Sequence, residues 1–86
     1  MHLTFYSSAF CGPCAQTRAV LERVSELLPE VQVTELDVVR AEEQAERQNI
    51  HATPTIVLSD DAGAELFRAS GAPSINQVLT AIAASS

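Results

Sequence analysis

Both cysteines of the chain fall within four positions, in the stretch Cys11-Gly12-Pro13-Cys14. Three chemistries can use such a pair: a structural disulfide, half of a metal site, or a reactive dithiol. A structural bridge here closes too short a loop to restrain the unfolded chain much, and two cysteines are too few for a secreted disulfide framework. A zinc site needs two further ligands, and the available histidines, His2 and His51, lack the paired spacing of a structural site. The dithiol reading draws on Pro13, which suits the first turn of a helix because its missing N–H has no intrahelical partner there. A cysteine at a helix start faces unpaired backbone N–H groups and the positive end of the helix dipole, so its thiolate is favoured over its thiol. Cys11 occupies that place and is the expected nucleophile. Cys14 lies a turn further in and is the expected resolving thiol, displacing the reduced product from a mixed disulfide on Cys11.

The surrounding pattern supplies the elements that would hold this pair. "HLTFY" alternates Leu3 and Phe5 against Thr4 and predicts a strand ending at the serines. Val20, Leu21, Val24, Leu27 and Leu28 then recur at helical spacing until Pro29 stops the run. "VQVTELDV" predicts a second strand whose apolar positions change parity between Val33 and Leu36, which implies burial on both faces or a bulge. "RAEEQAERQN" predicts a short, solvated helix with Ala41 and Ala45 turned inward. "TIVL" predicts a buried strand, Asp60 to Gly63 a turn, and "AELFRA" an edge strand completing an antiparallel hairpin. Ser74 is the expected N-cap of a closing helix carrying Ile75, Val78, Leu79, Ile82 and Ala83 inward. The order βαβαββα implies an α/β fold with a four-stranded mixed sheet of order 2-1-3-4, the first and third helices on one face and the second on the other.

Eighty-six residues are expected to make one domain, residues 1–86. Eleven acids stand against five arginines and no lysine, and the net charge of −6 makes DNA and anionic membranes poor partners. No apolar run approaches the roughly 18 residues of a spanning helix, and "MHLTFYSS" lacks the basic region and apolar stretch of a signal peptide. The expected setting is cytoplasmic.

A strand, then Cys-Gly-Pro-Cys opening a helix, then "ATPT" before a buried strand, resembles the thioredoxin superfamily in a minimal, glutaredoxin-sized version. The Gly12-Pro13 pair is thioredoxin's own, and Gly71 in "SGAPS" falls where thioredoxins carry a glycine before the last helix. The resemblance implies a thioredoxin-like fold without the extra N-terminal strand and helix of a full thioredoxin. It implies a thiol-disulfide oxidoreductase that reduces protein disulfides through Cys11 and Cys14, needs no cofactor beyond that pair, draws electrons from a thioredoxin-reductase-type donor, and acts as a monomer. A free thiol of pKa about 8.5 is roughly 3% ionised at pH 7, whereas a pKa near 7, the general value for thioredoxin, gives about half. Thr53-Pro54 is expected to be a cis bond beside the dithiol, with the backbone of Thr53 left to pair with an extended substrate segment.

Three positions depart from the family pattern. Phe5 and Glu35 stand where full thioredoxins carry a buried carboxylate and a buried lysine that move protons to and from the inner cysteine. Water reaching Cys14 is the simplest substitute, and His51 is the other candidate for proton transfer. Phe10 replaces the tryptophan before the motif, keeping an apolar contact face without the indole N–H. "TFYSSAFC" also resembles glutaredoxin, which makes a glutathione-linked enzyme the alternative. The glutathione carboxylates would lack their usual anchors, because the chain has no lysine and its last turn reads Gly71-Ala72-Pro73-Ser74. A metal-binding module using Cys11 and Cys14 is the remaining alternative.

Overall fold

The computed structural model describes residues 1–85. Its elements run β1 (His2–Ser7), α1 (Gly12–Leu27), β2 (Gln32–Asp37), α2 (Glu42–Arg47), β3 (Thr55–Ser59), β4 (Glu65–Ser70) and α3 (Ile75–Ala84). The strands form one sheet of order β2-β1-β3-β4, as the βαβαββα pattern predicts. β1 runs parallel to β2 and antiparallel to β3, and β3 runs antiparallel to β4.

Alternation along the strands divides the core in two. Leu3 and Phe5 of β1 and Ile56 and Leu58 of β3 face Cys14, Leu21 and Val24 of α1 and Val78 and Ile82 of α3. On the opposite face Tyr6 and Val57 pack with Ala45 of α2 and with Leu36, Val38 and Ile50. The parity change in β2 is therefore a matter of two faces and not of a bulge. Val33 packs on the α1 and α3 side, Leu36 on the α2 side, and the β1–β2 register runs unshifted from His2↔Gln32 to Ser7↔Asp37.

Two residues expected inward lie outside the core. Leu27 is 46% exposed at the last turn of α1, while the chain turns in one residue later at the half-buried Leu28. Ala83 is exposed near the end of α3, where no further element covers the helix. The predicted turn is held by Asp60, whose Oδ1 accepts the N–H groups of Ala62 and Ala64 at 3.0 and 2.8 Å, and Gly63 takes the left-handed backbone there at φ 89°. Ser74 caps α3 in a reciprocal box: its Oγ accepts the Gln77 N–H at 3.2 Å, and Gln77 Oε1 accepts the Ser74 N–H at 2.8 Å.

Candidate functional site

One end of the sheet gathers the residues singled out by the sequence. Tyr6 of β1 lies opposite Thr55 of β3, and Thr55 lies opposite Ser70 of β4. The segment leaving β1 toward Cys11, the Thr53-Pro54 segment entering β3, and Gly71 after β4 therefore share a rim. The Thr53-Pro54 bond is cis, and Pro54 is buried. Gly71, at φ 79°, donates its N–H to the Pro54 carbonyl at 3.0 Å. That positive φ is the reason glycine suits position 71.

Cys11 is the N-cap of α1, in extended backbone, with Gly12 and Pro13 exposed as the first two helical residues. Its Sγ accepts the N–H of Cys14 at 3.2 Å, so sulfur takes up one of the donors that a helix start leaves unpaired. Cys11 and Cys14 are joined as a disulfide, the oxidised form of the pair. The two sulfurs differ in access: Cys11 is half-buried, whereas Cys14 is 1% exposed within the core. Thr17, also buried, anchors the same turn by donating its hydroxyl to the Pro13 carbonyl at 3.1 Å.

Phe10 stands wholly in solvent and takes the left-handed region at φ 58°. For a bulky residue this is an outlier, and such strain persists only where the surroundings hold it. The sequence marked Phe10 as an apolar contact face but carried no sign of its backbone conformation.

Phe5 is buried and is the register partner of Glu35. Glu35 is not a buried group. Its side chain is 36% exposed and held by Arg18 of α1, whose Nε and Nη2 donate to Oε1 and Oε2 at 2.8 and 2.7 Å. The buried Ser7 donates its hydroxyl to Oε2 at 2.8 Å, and the Arg18 guanidinium lies 5.8 Å from the Phe5 ring centroid. Arg18's hydrogen bonds, joined by Ser7's hydroxyl, hold the Glu35 carboxyl below the ordinary carboxylate range against the opposing effect of partial burial. Positions 5 and 35 thus hold an apolar ring and a partly exposed ion pair. Arg18 and Ser7 carry no motif and were not marked by the sequence.

His51 is exposed on the segment before Pro54, lining a cleft of about 220 Å³ with Ser8, Val38, Ile50, Ala52 and Thr53. The half-buried Thr53 meets the motif through Ser8, the two hydroxyl oxygens lying 2.7 Å apart. Among the described residues, no group of three or more His, Cys, Asp or Glu side chains is placed to hold a metal ion, and no helix is long and apolar enough to cross a membrane.

Comparison with known proteins gives one answer. The thioredoxin family model matches residues 1–84. Thioredoxin of Chlamydia trachomatis is 32% identical over 66 residues, covering 77% of this chain and 64% of that protein. Thioredoxin of Chlamydia muridarum is 33% identical over 69 residues, covering 80% and 67%. The chain's match thus spans about two thirds of these relatives' length. The X-ray structure of Fasciola hepatica thioredoxin superposes with a TM-score of 0.84 at 30% identity, over 95% of this chain and 78% of that one. With the Cys-X-X-Cys helix start, the cis Thr53-Pro54 bond and the sheet order all in place, the chain belongs to the thioredoxin family.

Proposed function

We propose that this protein is a thiol-disulfide oxidoreductase that reduces disulfides in other proteins. The observation that carries the reading is the asymmetry of the pair: a half-buried cysteine whose sulfur caps α1, bonded to a fully buried cysteine one turn inside it. In the reduced protein the Cys11 thiolate attacks a substrate disulfide, forming a Cys11–substrate bond and releasing one substrate thiolate. Cys14, once deprotonated, attacks Cys11 Sγ, releases the second substrate thiolate and closes the disulfide seen here. Two electrons pass from the dithiol to the substrate. A thioredoxin-reductase-type donor returns them, and no cofactor is required beyond the pair itself.

Phe10, Gly12 and Pro13 form the uncharged contact surface around Cys11. Thr53 offers its backbone to an extended substrate segment, Pro54 withholds a ladder donor, and Gly71 braces Pro54. Water or His51 takes the Cys14 proton, since neither Phe5 nor the ion-paired Glu35 fills the family's relay. Residues 1–86 act as one unit in the reducing cytoplasm. Thioredoxin relatives support this reading over the glutathione-linked alternative.

Trapping tests it. In a cell extract, Cys14→Ser should accumulate mixed disulfides through Cys11, whereas Cys11→Ser should accumulate none. Equal adducts from both variants, or none from either, would overturn the proposal.

A further inference from the structure

The segment from Gln48 to Pro54 carries the substrate-facing Thr53, yet it lies between α2 and β3 without a sheet ladder of its own. It is pinned from several sides. Arg68 of β4 donates from Nη1 to the carbonyls of Gln48 and Asn49 at 2.7 and 3.4 Å. The Thr55 hydroxyl donates to the Ala52 carbonyl at 2.7 Å, and Gly71 holds the Pro54 carbonyl. The Ser8–Thr53 hydroxyl pair differs from these in what it joins. Ser8 lies between β1 and α1, three residues before Cys11 and two before the left-handed Phe10. Its bond ties the substrate-facing segment directly to the segment that carries the nucleophile. At 2.7 Å the separation is at the optimum for O–H···O, and both residues are half-buried, so solvent competes weakly for the hydroxyls.

We infer that Ser8 is a positioning residue that sets a preference for disulfides in extended protein segments over small free disulfides, by fixing Thr53 to the Cys11 segment through the 2.7 Å hydroxyl pair. The inference rests on the function proposed above and names a specificity determinant for it. An extended substrate must meet the Thr53 backbone and the Cys11 sulfur at once, so its fit depends on the spacing between them. A small disulfide has no strand to place and needs the sulfur alone. Loosening the pair therefore weakens the first interaction and spares the second.

The test compares wild type, Ser8→Ala, Ser8→Thr, Thr53→Val and the Ser8→Ala/Thr53→Val double variant, recycled by dithiothreitol with the uncatalysed rate subtracted. The substrates are insulin and bis(2-hydroxyethyl) disulfide. Loss of one partly shielded hydrogen bond should raise KM for insulin about 5-fold in Ser8→Ala, with kcat little changed. The rate with the small disulfide should stay within about 2-fold of wild type, because the chemistry at sulfur is untouched. Ser8→Thr, which keeps the hydroxyl, should restore the insulin KM. The double variant should be no worse than Thr53→Val alone, since each change breaks the same bond. Should Ser8→Ala fail to fold, Ser8→Val, which has the size of Ser8→Thr without its hydroxyl, removes the same bond and must show the same split between substrates. An unchanged insulin KM, equal losses on both substrates, or additive losses in the double variant would overturn the inference. Wild-type protein inactive on insulin would instead overturn the proposed function itself.

Discussion

Phe10 offers a perturbation whose magnitude follows from two facts, its φ of 58° and its fully solvated side chain. Replacing it by glycine removes a backbone cost without uncovering any core. A left-handed backbone costs a residue with a Cβ about 1–2 kcal/mol. Glycine's greater freedom in the unfolded chain cancels about 0.4–1 kcal/mol of that relief. Phe10→Gly should therefore be more stable than wild type by about 0.5–1 kcal/mol, a rise in Tm of about 2–8 °C for a chain of this size. Phe10→Ala keeps the Cβ and with it the strain, so it should unfold close to wild type. Thermal and urea unfolding of the three oxidised proteins, run side by side, measures the difference, while insulin reduction should fall in both variants because both lose the apolar contact face. That pattern is strain retained at a site because the side chain serves there. A glycine variant no more stable than the alanine variant would refute the reasoning, since the two differ chiefly in their tolerance of positive φ.

Leu21→Ala, at a side chain 2% exposed between α1 and the sheet, should cost about 2–5 kcal/mol in urea unfolding, and a loss below about 1 kcal/mol would mean that the site collapses around the cavity. The Glu35 carboxyl binds its proton less readily in the folded state than in the unfolded chain, so unfolding takes up a proton between the two pKa values. The resulting stability is present above the ordinary glutamate range and is lost as pH falls through the lowered folded value. Glu35→Gln should flatten that acid limb in a pH series of urea midpoints, and an unchanged limb would contradict the ion pair's part in it. Ser74→Ala removes one half of the box that opens α3 and should cost about 1 kcal/mol in the same assay, with no change in the reaction of reduced Cys11.

Periodicity made most of the fold legible. Alternating Leu3 and Phe5, the helical spacing of Leu21 and Val24, and the Ser74 cap all read directly into elements, because each reflects local geometry that tertiary packing does not override. The second strand was ambiguous because parity alone cannot tell a two-faced strand from a bulged one; only the packing of Val33 and Leu36 on opposite faces decides it. Leu27 was misread for a related reason: helical spacing marks a stripe, but it does not say where the neighbouring element ends. At the candidate site the Cys-X-X-Cys motif was plain. The Ser8–Thr53 pair and the Ser7–Glu35–Arg18 cluster were not, since each joins residues far apart in the chain whose types are common on any surface. The strain at Phe10 likewise leaves no compositional trace.

The account turns on the state of one sulfur in the reduced protein. Alkylation of Cys11 by iodoacetamide, followed against pH in Cys14→Ser to leave a single thiol, reports it directly. A midpoint below the free-thiol value of about 8.5 is the predicted result, as expected for a thiol capping a helix. A midpoint at or above the free-thiol value of about 8.5, or a Cys11 that fails to react while the protein is folded, would contradict it.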